Sequence, residues 1–175
     1  MARMTLSAVL VGYLVFGTAA AQQIPNFGGV WVMDMSQSET AVQPGHPERP
    51  IIELITQTPM SITIRRDVDG RADVLTYPFE GDSALKPAPI DRPDAGTAPR
   101  SSAAWNDGAL QTIAYLTING EAVNRLERRS LDASNTRMTV ETTVSVQHGY
   151  LGLSGKAATG VMKDVYIKQT QTPVP

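Results

Sequence analysis

Alternation of apolar and polar side chains dominates the chain beyond its amino terminus. Met60, Ile62 and Ile64 alternate with Ser61, Thr63 and Arg65. Later, Met138, Val140, Thr142, Val144 and Val146 alternate with Arg137, Thr139, Glu141, Thr143 and Ser145. A period of two is the signature of a strand with one face buried. Further strands are predicted over Gly29–Met33, rich in β-formers, and over Val74–Phe79, Ser101–Trp105, Ala109–Ile118, Val123–Leu131 and Val161–Gln169. Ile51–Ile55 is apolar at too many positions for periodicity to choose between a helical turn and a short strand.

Turn signals separate these runs. Asp69-Gly70, Asn106-Asp107-Gly108, Asn119-Gly120 and Asp132-Ala133-Ser134-Asn135 each fall between two of them. Pro78 cannot donate to a ladder, so its strand end belongs at a sheet edge or a bulge. Two Pro-rich stretches, 36–50 and 80–100, read as long loops. Glycines from Gly149 to Gly160 mark another irregular stretch, and the tail from Thr170 reads as frayed. The pattern predicts an all-β domain, a roughly eight-stranded antiparallel up-and-down barrel or sandwich. A barrel of that size closes around side chains or one small ligand.

The amino terminus has a different logic. Arg3 precedes the apolar run Leu6–Phe16, and Ala19 and Ala21 form a small-x-small pattern. This is the layout of a cleavable export signal over residues 1–21, leaving a single domain over 22–175. The run is too short to span a bilayer, which needs roughly 20 residues, so no stable membrane anchor is expected. The protein is therefore expected in the periplasm or secreted.

The 175 residues contain no cysteine and carry a formal charge of −2. Disulfides, thiolate metal sites and thiol nucleophiles are excluded. Mild acidity argues against nucleic acid, which requires clustered cations. With two histidines, His46 and His148, a zinc site is not expected, and no cofactor is implied.

Several short segments together resemble the exported, lipocalin-like (calycin-type) β-barrel proteins of bacteria, which are mostly uncharacterised. They are Phe27-Gly28-Gly29-Val30-Trp31, Trp105-Asn106-Asp107-Gly108-Ala109-Leu110, Glu127-Arg128-Arg129-Ser130-Leu131-Asp132 and Asp164-Val165-Tyr166-Ile167-Lys168. Gly29-Val30-Trp31 also matches the Gly-x-Trp of lipocalins proper. The resemblance implies that Trp31 lies at the closed end and that a basic residue of the last strand packs on it. Lys168 is that residue here, where the lipocalin pattern has Arg, and no helix pattern follows the last strand. It further implies binding of a small ligand.

Candidate chemistry is sparse. His46, in Pro44-Gly45-His46-Pro47, reads as a solvated loop residue. His148 and Tyr150 continue the Met138–Val146 alternation to a barrel rim, where His can serve as acid or base. Arg125, Glu127 and Arg129 share a strand face with Val123 and Leu131, opposite Asn124, Leu126 and Arg128. Whichever face turns inward carries charge. The cost of burying charge favours a bulged strand with all of it solvated. If Val123 and Leu131 face inward, Arg125 and Arg129 become candidates for gripping an anion, with Arg125 nearer His148 by register. Ser154 lacks the spacing of a hydrolase elbow. Trp31, Tyr77, Phe79, Trp105 and Tyr115 read as core, and Tyr77 and Trp105 also count among the ligand-lining candidates.

Three functions fit this reading. The leading one is an exported binding protein for a small apolar or amphiphilic molecule. The second is a barrel enzyme, an isomerase, lyase or hydrolase, using His148. The third is an accessory subunit of an exported protein complex.

Overall fold

A computed structural model describes residues 24–79, 101–118, 121–146 and 158–170. Among these residues nine strands form one sheet: β1 (Gly29–Met33), β2 (Ile52–Gln57), β3 (Ser61–Val68), β4 (Arg71–Pro78), β5 (Ser101–Asn106), β6 (Ala109–Ile118), β7 (Glu121–Leu131), β8 (Arg137–Val146) and β9 (Ala158–Lys168). Their order is β4-β3-β2-β1-β9-β8-β7-β6-β5, and every hydrogen-bonded pair is antiparallel. Pairing of β1 with β9 joins the two ends of the meander, so the protein is an all-β, nearly closed up-and-down barrel.

The strand left undecided by periodicity is β2. Ile51, Glu53 and Ile55 are buried, whereas Ile52 and Leu54 are about two-fifths exposed. The alternation exists, but aliphatic residues on the outer face conceal it. The stretch 36–50 is mostly irregular, as expected, and includes one short 3-10 helix, Glu39–Val42.

An odd number of strands cannot close a meander with antiparallel neighbours throughout. The mismatch falls at the seam between β4 and β5, which run parallel. There Phe79 bridges Ala103 and the Ser101 hydroxyl donates to the Thr76 carbonyl at 2.7 Å. A parallel join needs a crossover of a dozen or more residues, and residues 80–100 separate these strands. Pro78 accordingly sits at the end of the terminal strand of the sheet.

Two hairpins use the expected left-handed turns. Asp69 and Gly70 have φ of 50° and 81°, and Asp107 and Gly108 have φ of 49° and 72°. Positive φ at both central residues matches the right-handed twist of the flanking strands. Asn119-Gly120 lies outside the described residues, although the flanking strands pair up to Ile118 and Glu121.

One end of the barrel is closed by aromatic packing. Phe27 and Trp31 are fully buried, and the indole Nε1 donates to the Phe27 carbonyl at 2.8 Å. Trp105 lies 6.0 Å from Phe27 and stacks on Phe79 at 5.6 Å. Lys168 sits with Nζ 5.1 Å from the centre of the Trp31 ring. Gly29 makes room for it: φ there is 131°, and an added Cβ would stand 2.9 Å from Lys168 Cε. Ile55, Ile62, Leu110 and Met138 complete this layer.

Candidate functional site

Side chains on β7 decide the character of the interior. Val123 pairs with Leu116 and Val146, and Leu131 pairs with Met138. These aliphatic contacts fix the register, and a slip of one residue would turn the whole set outward. The charged face therefore points inward: Glu127 and Arg129 are buried and Arg125 is half-buried. The expectation of a bulged strand with solvated charges does not hold, because partners from other strands compensate the burial.

Glu53 on β2 and Arg66 on β3 supply that compensation. They pair across the β2–β3 ladder and meet β7 through the barrel interior. Arg66 Nη2 lies 2.6 Å from Glu53 Oε1 and 2.6 Å from Glu127 Oε1. Arg129 Nη2 lies 2.8 Å from Glu127 Oε2 and 3.4 Å from Glu53 Oε1. Thr112 on β6 accepts from Arg129 Nη1 at 3.0 Å. Two carboxylates and two guanidiniums thus form a closed ring, in which each ion faces two of opposite sign. A buried charge with that many partners is tolerable where a lone one is not.

Electrostatics follow from this geometry. Burial pushes the Glu127 carboxyl up, but Arg129, Arg66 and Arg125 together outweigh burial and hold it well below the usual carboxylate range. Burial favours the neutral form of the Arg66 and Arg129 guanidiniums, yet Glu127 and Glu53 raise both further above their ordinary value. The Tyr77 and Tyr166 phenols are pushed up by burial, with Glu127 adding to the first and Glu53 to the second. Both stay protonated donors near neutral pH.

Arg125 stands at the edge of this ring. Its Nε is 3.6 Å from Glu127 Oε1, outside hydrogen-bond range, and its Nη2 reaches the Tyr77 hydroxyl at a long 3.4 Å. Nε is buried without a hydrogen-bond partner among the described residues. The Arg125 and Arg66 side chains are each 17% exposed, whereas Arg129 is fully enclosed. Away from the aromatic end the neighbours are aliphatic: Val144, opposite Arg125, and Leu116, both partly buried, with Val123 and Val146 buried beyond them, and Met35, Val68 and Leu75 packed partly buried against the core. A half-satisfied guanidinium beneath an aliphatic rim can hold an anionic group whose body lies among those side chains.

Among the candidates named from sequence, Tyr77 and Arg125 come together, with Arg129 behind them. Trp105 instead belongs to the aromatic closed end. His148, Tyr150 and Ser154 lie outside the described residues, and His46 is exposed as expected. Glu53, Arg66 and Thr112 escaped sequence reasoning. Arg66 continues the alternation of Ile62 and Ile64 by one step, which is the signal that could have found it.

No protein-family model matches the chain, and no curated protein matches it. Solved structures of similar shape exist. A secretary abundant heat soluble (SAHS) protein from Ramazzottius varieornatus aligns at 10% identity and a TM-score of 0.48, over 82% of this chain and 95% of that one. The wild-type fluorescent protein UnaG aligns at 12% identity and a TM-score of 0.42, over 82% of this chain and 97% of that one. Likeness at this level carries nothing about ligand or activity. The barrel assignment rests on the strand pairing itself.

Proposed function

We propose that this chain is a binding protein for a small amphiphilic molecule, with an anionic head group at Arg125 and an apolar body against the aliphatic rim. The observation that carries this reading is Arg125. It is a half-buried guanidinium with an unpartnered Nε, beside a phenol and inside a barrel. Cations buried without full compensation are costly, and an incoming anion relieves that cost. The enzyme reading rests on His148 and the accessory-subunit reading on an outer surface; no described contact supports either.

Titration with an anionic naphthalene sulfonate dye tests the proposal. The dye should bind the wild-type protein, and Arg125→Gln should weaken it about tenfold or more, as expected for a hydrogen-bonded charge. Equal affinity in both proteins, or no binding to either, would overturn it.

We further propose that the protein acts outside the cytoplasm, on the strength of Arg3, the apolar run and Ala19-x-Ala21. Intact-mass analysis of exported protein should give a chain beginning at Gln22. A soluble exported form that retains Met1–Ala21 would reject this.

A further inference from the structure

Five ionised side chains meet in the interior: Arg66, Arg125 and Arg129 against Glu53 and Glu127. The ring of four is balanced, since each carboxylate faces both Arg66 and Arg129. Arg125 is the odd charge. Its nearest anion, Glu127 Oε1, is already engaged at 2.6 Å by Arg66. The cluster therefore holds one positive charge more than its carboxylates neutralise.

Among the described residues, the other acids on the surrounding strands keep their charge but form no ion pair with this cluster. Asp164 on β9 accepts from the Thr40 amide at 2.9 Å and the Thr40 hydroxyl at 2.6 Å. Asp73 on β4 lies opposite Arg66 in the ladder but is exposed to solvent. Lys168 is on the Trp31 ring at the closed end. Tyr77 and Tyr166 are held neutral by burial, so they add donors and no charge.

We propose that this site selects head groups bearing a single negative charge, such as carboxylate or sulfonate, over doubly charged ones such as a phosphate monoester. The inference rests on the binding function proposed above and specifies its ligand class. One negative charge neutralises Arg125. A second would find Arg66 and Arg129 already engaged and would lie close to the Glu127 carboxylate, at low dielectric, where like charges repel strongly. Glu127 is thus a specificity-determining residue, acting through charge with no contact to the ligand required.

A set of alkyl chains of one length tests this on the full mature protein by calorimetry. The chains end in sulfonate, in phosphate monoester well above its second pKa of about 6, and in hydroxyl. Sulfonate should bind about tenfold or more tighter than either of the others. Glu127→Gln leaves two unmatched positive charges and should shift the preference toward phosphate. Arg125→Gln leaves none and should erase the preference of sulfonate over hydroxyl. Because the Arg125 side chain is partly exposed, that variant remains a test should Glu127→Gln not fold. Equal affinity for sulfonate and phosphate, with both still dependent on Arg125, would overturn the charge selection and leave the binding site standing. No binding of any chain would overturn both.

Discussion

The two halves of the barrel interior solve burial in opposite ways. At the closed end Phe27, Trp31, Leu110 and Met138 are buried apolar groups, with Phe79 and Trp105 packed partly buried beside them. Burial there needs little partner chemistry: the Trp31 indole donates to the Phe27 carbonyl, and the Phe27 amide donates to Gln57 Oε1. Farther from that end, on β2, β3 and β7, Glu53, Arg66, Glu127 and Arg129 fill the interior with full charges. Apolar packing tolerates imperfect neighbours, losing energy in proportion to the space left. An ion ring tolerates no missing member, because every deletion strands a buried charge. The closed end is thus built for stability. The charged layer gains little net stability from its ion pairs, and under the proposed function its unbalanced guanidinium is what meets the ligand.

The sharpest way to break this comparison is to remove Arg129. It is fully buried and faces both carboxylates. Arg129→Ala should cost about 5 kcal/mol, the upper end for breaking a buried pair, read from urea denaturation. Replacing Glu53, Arg66, Glu127 and Arg129 together by apolar residues of similar volume should recover most of that loss. A large residual loss in the quadruple variant would mean that the ring itself supplies the stability.

Trp31→Ala probes the other half. The ring is fully buried beneath Lys168, and its deletion should cost about 3–5 kcal/mol through lost transfer energy and a cavity. An unchanged denaturation midpoint would show that the aromatic end is dispensable.

Sequence reading captured these halves unequally. The closed end was legible because its cues are local: Gly29-x-Trp31, the aromatic residues and Lys168 at the end of the last strand. The alternation of β8 was equally plain, since one face is aliphatic. The charged layer was hidden for two physical reasons. Arg125, Glu127 and Arg129 carry the polarity expected of an outer face, so the pattern alone argued for the wrong side. Their compensation also comes from Arg66 and Glu53, which are 61 positions from Glu127 and 76 from Arg129 respectively, at the end of one strand and in another that periodicity could not assign. A strand's polarity indicates its face only when its partners across the barrel are known.

Acid separates the halves without mutation. Glu127 is depressed in the folded protein, so its contribution to stability is fully present above the ordinary glutamate value of about 4.3 and is lost as pH falls through and below it. Unfolding below that value takes up a proton. The unfolding free energy read from urea denaturation should therefore drop on acidification, by about 1.4 kcal/mol for each pH unit over which Glu127 alone stays ionised when folded. Asp34 and Asp132, exposed carboxylates lowered by hydrogen bonds from Ser36 and Ser134, contribute in the same direction. Glu127→Gln isolates the interior share. Its acid slope should be shallower than that of the wild type, and an identical slope would place the acid sensitivity on the surface.

The smallest expected effect concerns Lys168, the cation over the Trp31 ring. Its ammonium lies 5.1 Å from the Trp31 ring centre, and its stem fills the space that Gly29 leaves open. These two contributions are separable. Lys168→Met keeps an unbranched apolar stem and removes the charge, so it reports the attraction between cation and ring, about 0.5–1 kcal/mol for a partly exposed pair. Lys168→Ala removes the stem as well and should lose more, by the packing of its methylenes on the indole. If Met costs nothing while Ala does, the residue acts as an apolar lid and the closed end is apolar in effect throughout. If Met and Ala cost the same, the charge on the ring is the whole contribution, and even the apolar half of this barrel depends on one placed cation.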